Sequence, residues 1–173
     1  MSEMILINAG HGGSDCGAVG KSGLQEARVN LNVAKRVQKY LADRGIESVI
    51  YQQKKSLNEI IKIENAIDFE FGVSIHCNAA TDRNANGVEV LYYPTSRKGK
   101  ELAQCIQNQL VKKTGLRDRG IKPRSDLGFL RRTKSVCVLV ECAFISNEKE
   151  EQMLKDNYSL FAQGITLGIV DWM

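Results

Sequence analysis

The chain is expected to form an α/β domain, with a mostly parallel, twisted central sheet of about six strands flanked by helices. Three observations lead there. Short apolar runs that read as buried strands alternate with segments of helical periodicity, which is the pattern of a largely parallel sheet covered on both faces. The length of 173 residues suits one domain, and a chain of that size buries roughly 70% of its unfolded surface. No internal repeat, low-complexity tract or linker interrupts it, so residues 1–173 are read as a single unit.

The elements follow in order. "MILINAG" is a short apolar strand ended by Gly10. "GLQEARVNLNVAKRVQKYLADRG" is an amphipathic helix, with Leu31, Ala34, Val37 and Leu41 at helical spacing and Gly45 as a stop signal. "IESVIYQ" is a second strand. "SLNEIIKIENAIDF" is a second helix, with Ile60, Ile63 and Ile67 on one face. "FGVSIHCNA" is a third strand, and "GVEVLYYP", alternating and bounded by Gly87 and Pro94, a fourth. The helix "KGKELAQCIQNQLVKKTG" leads into a basic, irregular segment, "RDRGIKPRSDLGFLRRTK". "SVCVLVECAF" is another continuous apolar strand. From "SNEKEE" onward the chain reads as helix to its end, with Ser146 as the N-cap.

Composition narrows the function. The five cysteines are an odd set without a Cys-x-x-Cys pair, which argues against a disulfide framework or a cysteine-rich zinc module and for free thiols in a reducing compartment. "MSEM" carries an acidic residue where a signal peptide would be basic. The longest apolar run, Val136 to Ile145, is too short to span a bilayer and contains Glu141. The expectation is a soluble protein made in the cytoplasm, without membrane insertion. The net charge of +4 is too mild to call for nucleic acid.

Ligands of an α/β sheet gather beyond the carboxyl ends of its strands. The chain has two histidines, and both fall there. His11 follows "ILINAG", and His76 closes "GVSI". Glu141 closes "CVLV", and Glu26 lies in or just before the first turn of the first helix. Singly, a strand-end histidine is usually a hydrogen-bonded loop residue, and a glutamate at a helix start usually complements the helix dipole. Glu141 is harder to dismiss, because a bare charge among Val138, Leu139, Val140, Ala143 and Phe144 costs too much unless paired, protonated or metal-bound. Two imidazoles and one carboxylate form a three-ligand zinc set that leaves a fourth position for water. The carboxylate left over can act as the base beside that water, a role open to Glu141. The glycines of "AGHGG" allow the backbone unusual angles around His11.

"NAGHGGSDCGAVG", "GLQE", "SIHCNA" and "VLVECAFISN", in that order, resemble the motifs of the zinc-dependent N-acetylmuramoyl-L-alanine amidases of bacterial walls and phage endolysins. The resemblance runs from about residue 4 to the C-terminus. It implies one zinc ion per chain held by His11, Glu26 and His76, with Glu141 as catalytic acid/base. It also implies hydrolysis of the amide between the lactyl group of N-acetylmuramic acid and L-alanine in peptidoglycan. The chain departs from the pattern at Cys16, at Cys77, and at Cys142 and Ala143, where a small residue and a glycine are expected.

In the basic segment, Arg117, Arg119, Lys122, Arg124, Arg131, Arg132 and Lys134 oppose Asp118 and Asp126, a local net of +5. Such a patch suits stem-peptide carboxylates or an anionic wall polymer. In the family the segment borders the substrate groove, which makes Arg131 the candidate substrate contact. No aromatic platform interleaves the cations, which argues against nucleic acid.

The competing reading is a cysteine-nucleophile peptidoglycan hydrolase using Cys16, Cys77 or Cys142 with His11 or His76. Strand alternation turns Cys77 away from His76 and Cys142 away from Glu141, and only Cys16 escapes that objection. A third reading, a wall-binding module without catalysis, conflicts with the intact set of four site residues. No wall-binding domain is read within the chain, and one is expected as a separate or fused partner. The acidic start favours a phage lysin that reaches the wall after release over an exported autolysin.

Overall fold

The computed structural model describes residues 4–53, 57–66 and 69–173, except for the side chains at positions 57, 59, 60, 63 and 64. Its strands are β1 (Ile5–Ala9), β2 (Ser48–Gln52), β3 (Phe71–Asn78), β4 (Val88–Tyr92), β5 (Asp118–Pro123) and β6 (Val136–Phe144). They form one sheet in the order β2-β1-β3-β6-β4-β5. β2, β1, β3 and β6 run parallel, whereas β4 lies antiparallel to β6 and carries β5 parallel to itself. The helices are α1 (Glu26–Ala42), α2 (Leu57–Ala66), α3 (Arg97–Thr114), α4 (Gly128–Arg132), α5 (Glu148–Asp156) and α6 (Tyr158–Trp172).

The continuous apolar runs arise because both sheet faces are covered. Ile5, Ile7, Phe71, Val73, Ile75, Val138 and Val140 bury one face beneath α1, α3 and α6. The alternate residues Leu6, Leu91, Cys137 and Leu139 meet Phe129 and Leu130 of α4 on the other. Ala34, Val37 and Leu41 of α1 are fully buried, as their spacing implies, while Leu31 only flanks the core. α6 packs closely on α3 through two glycines. A Cβ at Gly168 would stand 2.3 Å from the Ile106 Cα, and one at Gly164 2.9 Å from the Leu110 Cα.

Three sequence expectations change. The basic segment is not irregular, since it forms the edge strand β5 and the five-residue helix α4. The C-terminal helix is two helices broken at Asn157, whose φ of −122° is not helical. Its first cap is Asn147, which accepts the N–H groups of Lys149 and Glu150, whereas Ser146 Oγ accepts the N–H of Ala80. The apolar face assigned to Ile60, Ile63 and Ile67 lies outside the described residues. Among those described, no helix is long and apolar enough to cross a membrane.

Candidate active site

The parallel register decides which side chains meet. His76 on β3 sits opposite Glu141 on β6, and Glu141 opposite Glu89 on β4. His76 and Glu141 both lie inside their strands, since β3 continues to Asn78 and β6 to Phe144. β1 stops at Ala9, and the Gly10 N–H donates to the Ile75 carbonyl, so His11 leaves the sheet beside His76. The backbone at His11 itself is left-handed, with φ +60°, an uncommon state for a residue with a side chain. Gly10 serves a different purpose from the one expected of it. A Cβ there would fall 2.3 Å from His76 ring atoms, so only glycine admits that imidazole.

Glu26 is the first residue of α1 and is almost completely buried. Its Oε1 lies 3.4 Å from His11 Nε2 and 3.2 Å from His76 Nδ1, and accepts the Cys77 N–H at 3.0 Å. Its Oε2 accepts the Ala18 N–H at 2.9 Å. One nitrogen from each histidine and one Glu26 oxygen all lie within 4.8 Å of one another. The two rings meet edge to face, with centroids 5.1 Å apart.

Burial pushes the Glu26 carboxyl up, but hydrogen bonds from His11, His76 and the Ala18 N–H outweigh it and hold the group well below the usual carboxylate range. The hydrogen bond to Glu26, against burial and with help from Asp15, lifts His11 to about 9. His11 and Glu26 thus stabilise each other's charged forms. Glu141 is the opposite case. Burial first, then the charges of Glu26 and Glu89, raise it to about 8. Its Oε2 is enclosed and has no hydrogen-bond partner among the described residues.

Three further residues belong to the site. Asp15 Oδ2 lies 2.8 Å from His11 Nδ1, leaving Nε2 to face Glu26. Glu89 accepts hydrogen bonds from Asn78 Nδ2 and Arg119 Nε, and Arg119 lies over the Phe144 ring at 4.9 Å. Asn30, fully buried one helical turn after Glu26, donates to the Gly10 carbonyl at 2.8 Å. Asp15 stands four residues after His11 and Asn30 four after Glu26. These are recognisable spacings, but only the fold gives them partners.

Beside His76 lies a cavity of about 210 Å³ lined by Asn8, Ser74, Leu139, Leu127 and Phe129, among others. Arg131 is exposed on α4, two residues beyond Phe129, and does not line that cavity. Other cations of the basic segment are engaged, since Arg119 pairs with Glu89 and Arg124 with Asp126. A larger hollow of about 690 Å³, bordered by Lys35, Lys39, Ile46 and Glu47, holds none of these residues. Cys77 and Cys142 are buried on the opposite sheet face, and burial pushes both thiols up, so neither supplies a thiolate. Cys16 is half-buried in its loop, with its Sγ on the Gly17 carbonyl.

Residues 5–171 match the family model described as N-acetylmuramoyl-L-alanine amidase. The N-acetylmuramoyl-L-alanine amidase LytC of Bacillus subtilis is 37% identical over 90% of the chain, which spans 32% of LytC. The endolysin of Bacillus phage SPP1 is 33% identical over 99% of the chain and 66% of the endolysin. The crystal structure of N-acetylmuramoyl-L-alanine amidase from Clostridium difficile 630 superposes with a TM-score of 0.92 at 30% identity, covering 99% of this chain and 96% of that one.

Proposed function

Because the chain belongs to the N-acetylmuramoyl-L-alanine amidase family, we propose that it cleaves the amide between the muramoyl lactyl group and L-alanine in peptidoglycan, using one zinc ion. The observation that carries this reading is the convergence of His11, Glu26 and His76, whose three donor atoms lie within 4.8 Å of one another.

The donor set fits the ion. It offers two imidazole nitrogens and one carboxylate oxygen, the donor types of a catalytic zinc site that keeps one position for water. Bound there, zinc would polarise the scissile carbonyl and bring the acidity of a coordinated water to about pH 7.

The chain's own groups supply the rest. Asp15 at His11 Nδ1 turns Nε2 inward and fixes the tautomer needed for ligation. The Cys77 and Ala18 N–H groups hold the Glu26 carboxylate ionised. Glu141, next to His76 across the sheet and with one oxygen unpartnered among the described residues, is assigned the proton transfers. Its carboxylate takes a proton from the attacking water and returns it to the leaving nitrogen. The cavity beside His76 gives the substrate a mixed polar and apolar wall, and Arg131 on α4 is the proposed outer contact for its anionic groups.

On this reading residues 1–173 act as the catalytic domain. Wall targeting comes from another segment or protein, in keeping with the 32% of LytC that the chain spans. The site of action is the bacterial wall, reached as a lysin, and the SPP1 endolysin similarity supports that route.

The test is digestion of purified walls. The expected products are new amino termini on L-alanine with no new reducing sugar ends, abolished by chelation and restored by zinc. New reducing ends would make the protein a glycosidase. Activity that survives complete chelation but not alkylation would make Cys16 the nucleophile.

A further inference from the structure

Asn30 is a fully buried amide in the middle of the candidate metal site, and the mechanism above leaves it without a task. Its neighbours are specific. Nδ2 donates to the Gly10 carbonyl at 2.8 Å, on the residue before His11. The same Nδ2 lies 3.5 Å from Glu26 Oε1. Oδ1 accepts the thiol of Cys77, the residue after His76, at 3.5 Å. One side chain thus touches the segments that carry all three candidate ligands. A buried amide is expensive unless its hydrogen bonds are met, and here each goes to one of those segments.

We propose that Asn30 is a positioning residue for the metal site, clamping the His11, Glu26 and His76 segments at ligating distance before any ion arrives. The proposal rests on the zinc reading above. The three segments come from different parts of the fold, namely the end of β1, the start of α1 and the C-terminal part of β3. Side chains make the links from α1 to the strand segments. Glu26 itself has that reach, since its Oε1 accepts the Cys77 N–H. Yet Glu26 must also face the ion, so a second group that can hold the geometry without ligating is needed. Asn30 satisfies both conditions, because it never ionises and stands one turn further along the helix, behind the carboxylate. Partners that hold a metal ligand in place typically change affinity by about 10–100-fold when removed.

The test measures zinc affinity by competition with a chromogenic chelator, alongside thermal unfolding of the metal-free protein and the visible spectrum of the cobalt-substituted form. Asn30→Ala removes the amide, and Asn30→Ser leaves a shorter polar group that fills the space better. Val37→Ala, a core truncation lower on the same helix, reports what general loss of stability does to binding. The expected result is zinc binding weaker by about 10–100-fold in both Asn30 variants, with an altered cobalt spectrum, while Val37→Ala binds like wild type. Wild-type affinity in the Asn30 variants, or an equal loss in Val37→Ala, would overturn the proposal. So would failure of both Asn30 variants to fold while Val37→Ala folds, since Asn30 would then be structural. A wild-type protein that takes up no zinc would instead overturn the metal reading on which the proposal stands.

Discussion

Glu141 carries the sharpest chemical consequence. It is directly opposite His76 on one side and Glu89 on the other, and Glu89 is neutralised by Arg119. Among the described residues Glu141 has no such counter-ion, and burial, then the charges of Glu26 and Glu89, raise it to about 8, which poises it to take up and release a proton near neutral pH. Glu141→Gln preserves shape and cannot exchange a proton. It is expected to fold and hold zinc like wild type while the hydrolytic rate falls by about 10²–10⁴-fold. Metal analysis together with dye-release from labelled walls checks both halves, and loss of zinc would make Glu141 a ligand. Apolar periodicity draws attention to His11, Glu26, His76 and Glu141 by placing them near strand and helix boundaries, although His76 and Glu141 lie inside their strands. Only the family resemblance divides them into three ligands and one acid/base. Asp15, Asn30 and Glu89 were not legible in the sequence. Each is an ordinary polar residue until folding sets Asp15 against His11, Asn30 beneath Gly10 and Glu89 across from Glu141.

Among the helices, α6 and α3 show how tightly elements approach where glycine permits. Gly168→Ala would place a Cβ 2.3 Å from the Ile106 Cα, and a backbone atom cannot swing aside as a side-chain tip can. The expected cost is about 1–3 kcal/mol, the usual range for overpacking, read as a lower urea midpoint. An unchanged midpoint would mean that α6 shifts freely on α3. Long, strongly periodic elements were legible before the fold was known, and β5 and α4 were not. β5 contains Gly120 and ends at Pro123, and its exposures do not alternate, so nothing in its pattern marks a strand. α4 has five residues, too few to show a helical period. The break between α5 and α6 rests on the backbone of one residue, Asn157, at φ −122°, which composition alone does not reveal.

For the molecule as a whole, the site makes stability depend on pH in a direction that zinc should reverse. In the metal-free protein His11 is raised from 6.5 to about 9. Its contribution is fully present below 6.5 and lost as pH rises through about 9. Glu141 is raised from 4.5 to about 8, so the fold favours its neutral form and loses that preference over the same rise. Glu26 is held below its ordinary value of 4.5, and its contribution is lost only in stronger acid. The metal-free melting temperature is therefore expected to fall between about pH 5 and about pH 9. Zinc needs neutral imidazoles, so its binding displaces protons and strengthens across the same interval. Calorimetry with chelator and with zinc should give curves that diverge as pH increases. Parallel curves would place the ion away from His11.

The outer strand β5 has an effect that reaches beyond a single chain. An open sheet margin offers unpaired N–H and C=O groups to any neighbour of similar shape. Here the margin carries an irregular register against β4, a left-handed Gly120, an outward Lys122, and Pro123, which has no N–H to give. Two copies approaching along this margin would meet mismatched spacing and like charge. The segment that first suggested a grip on the wall thus also carries the features that disfavour edge-to-edge pairing of one copy with another.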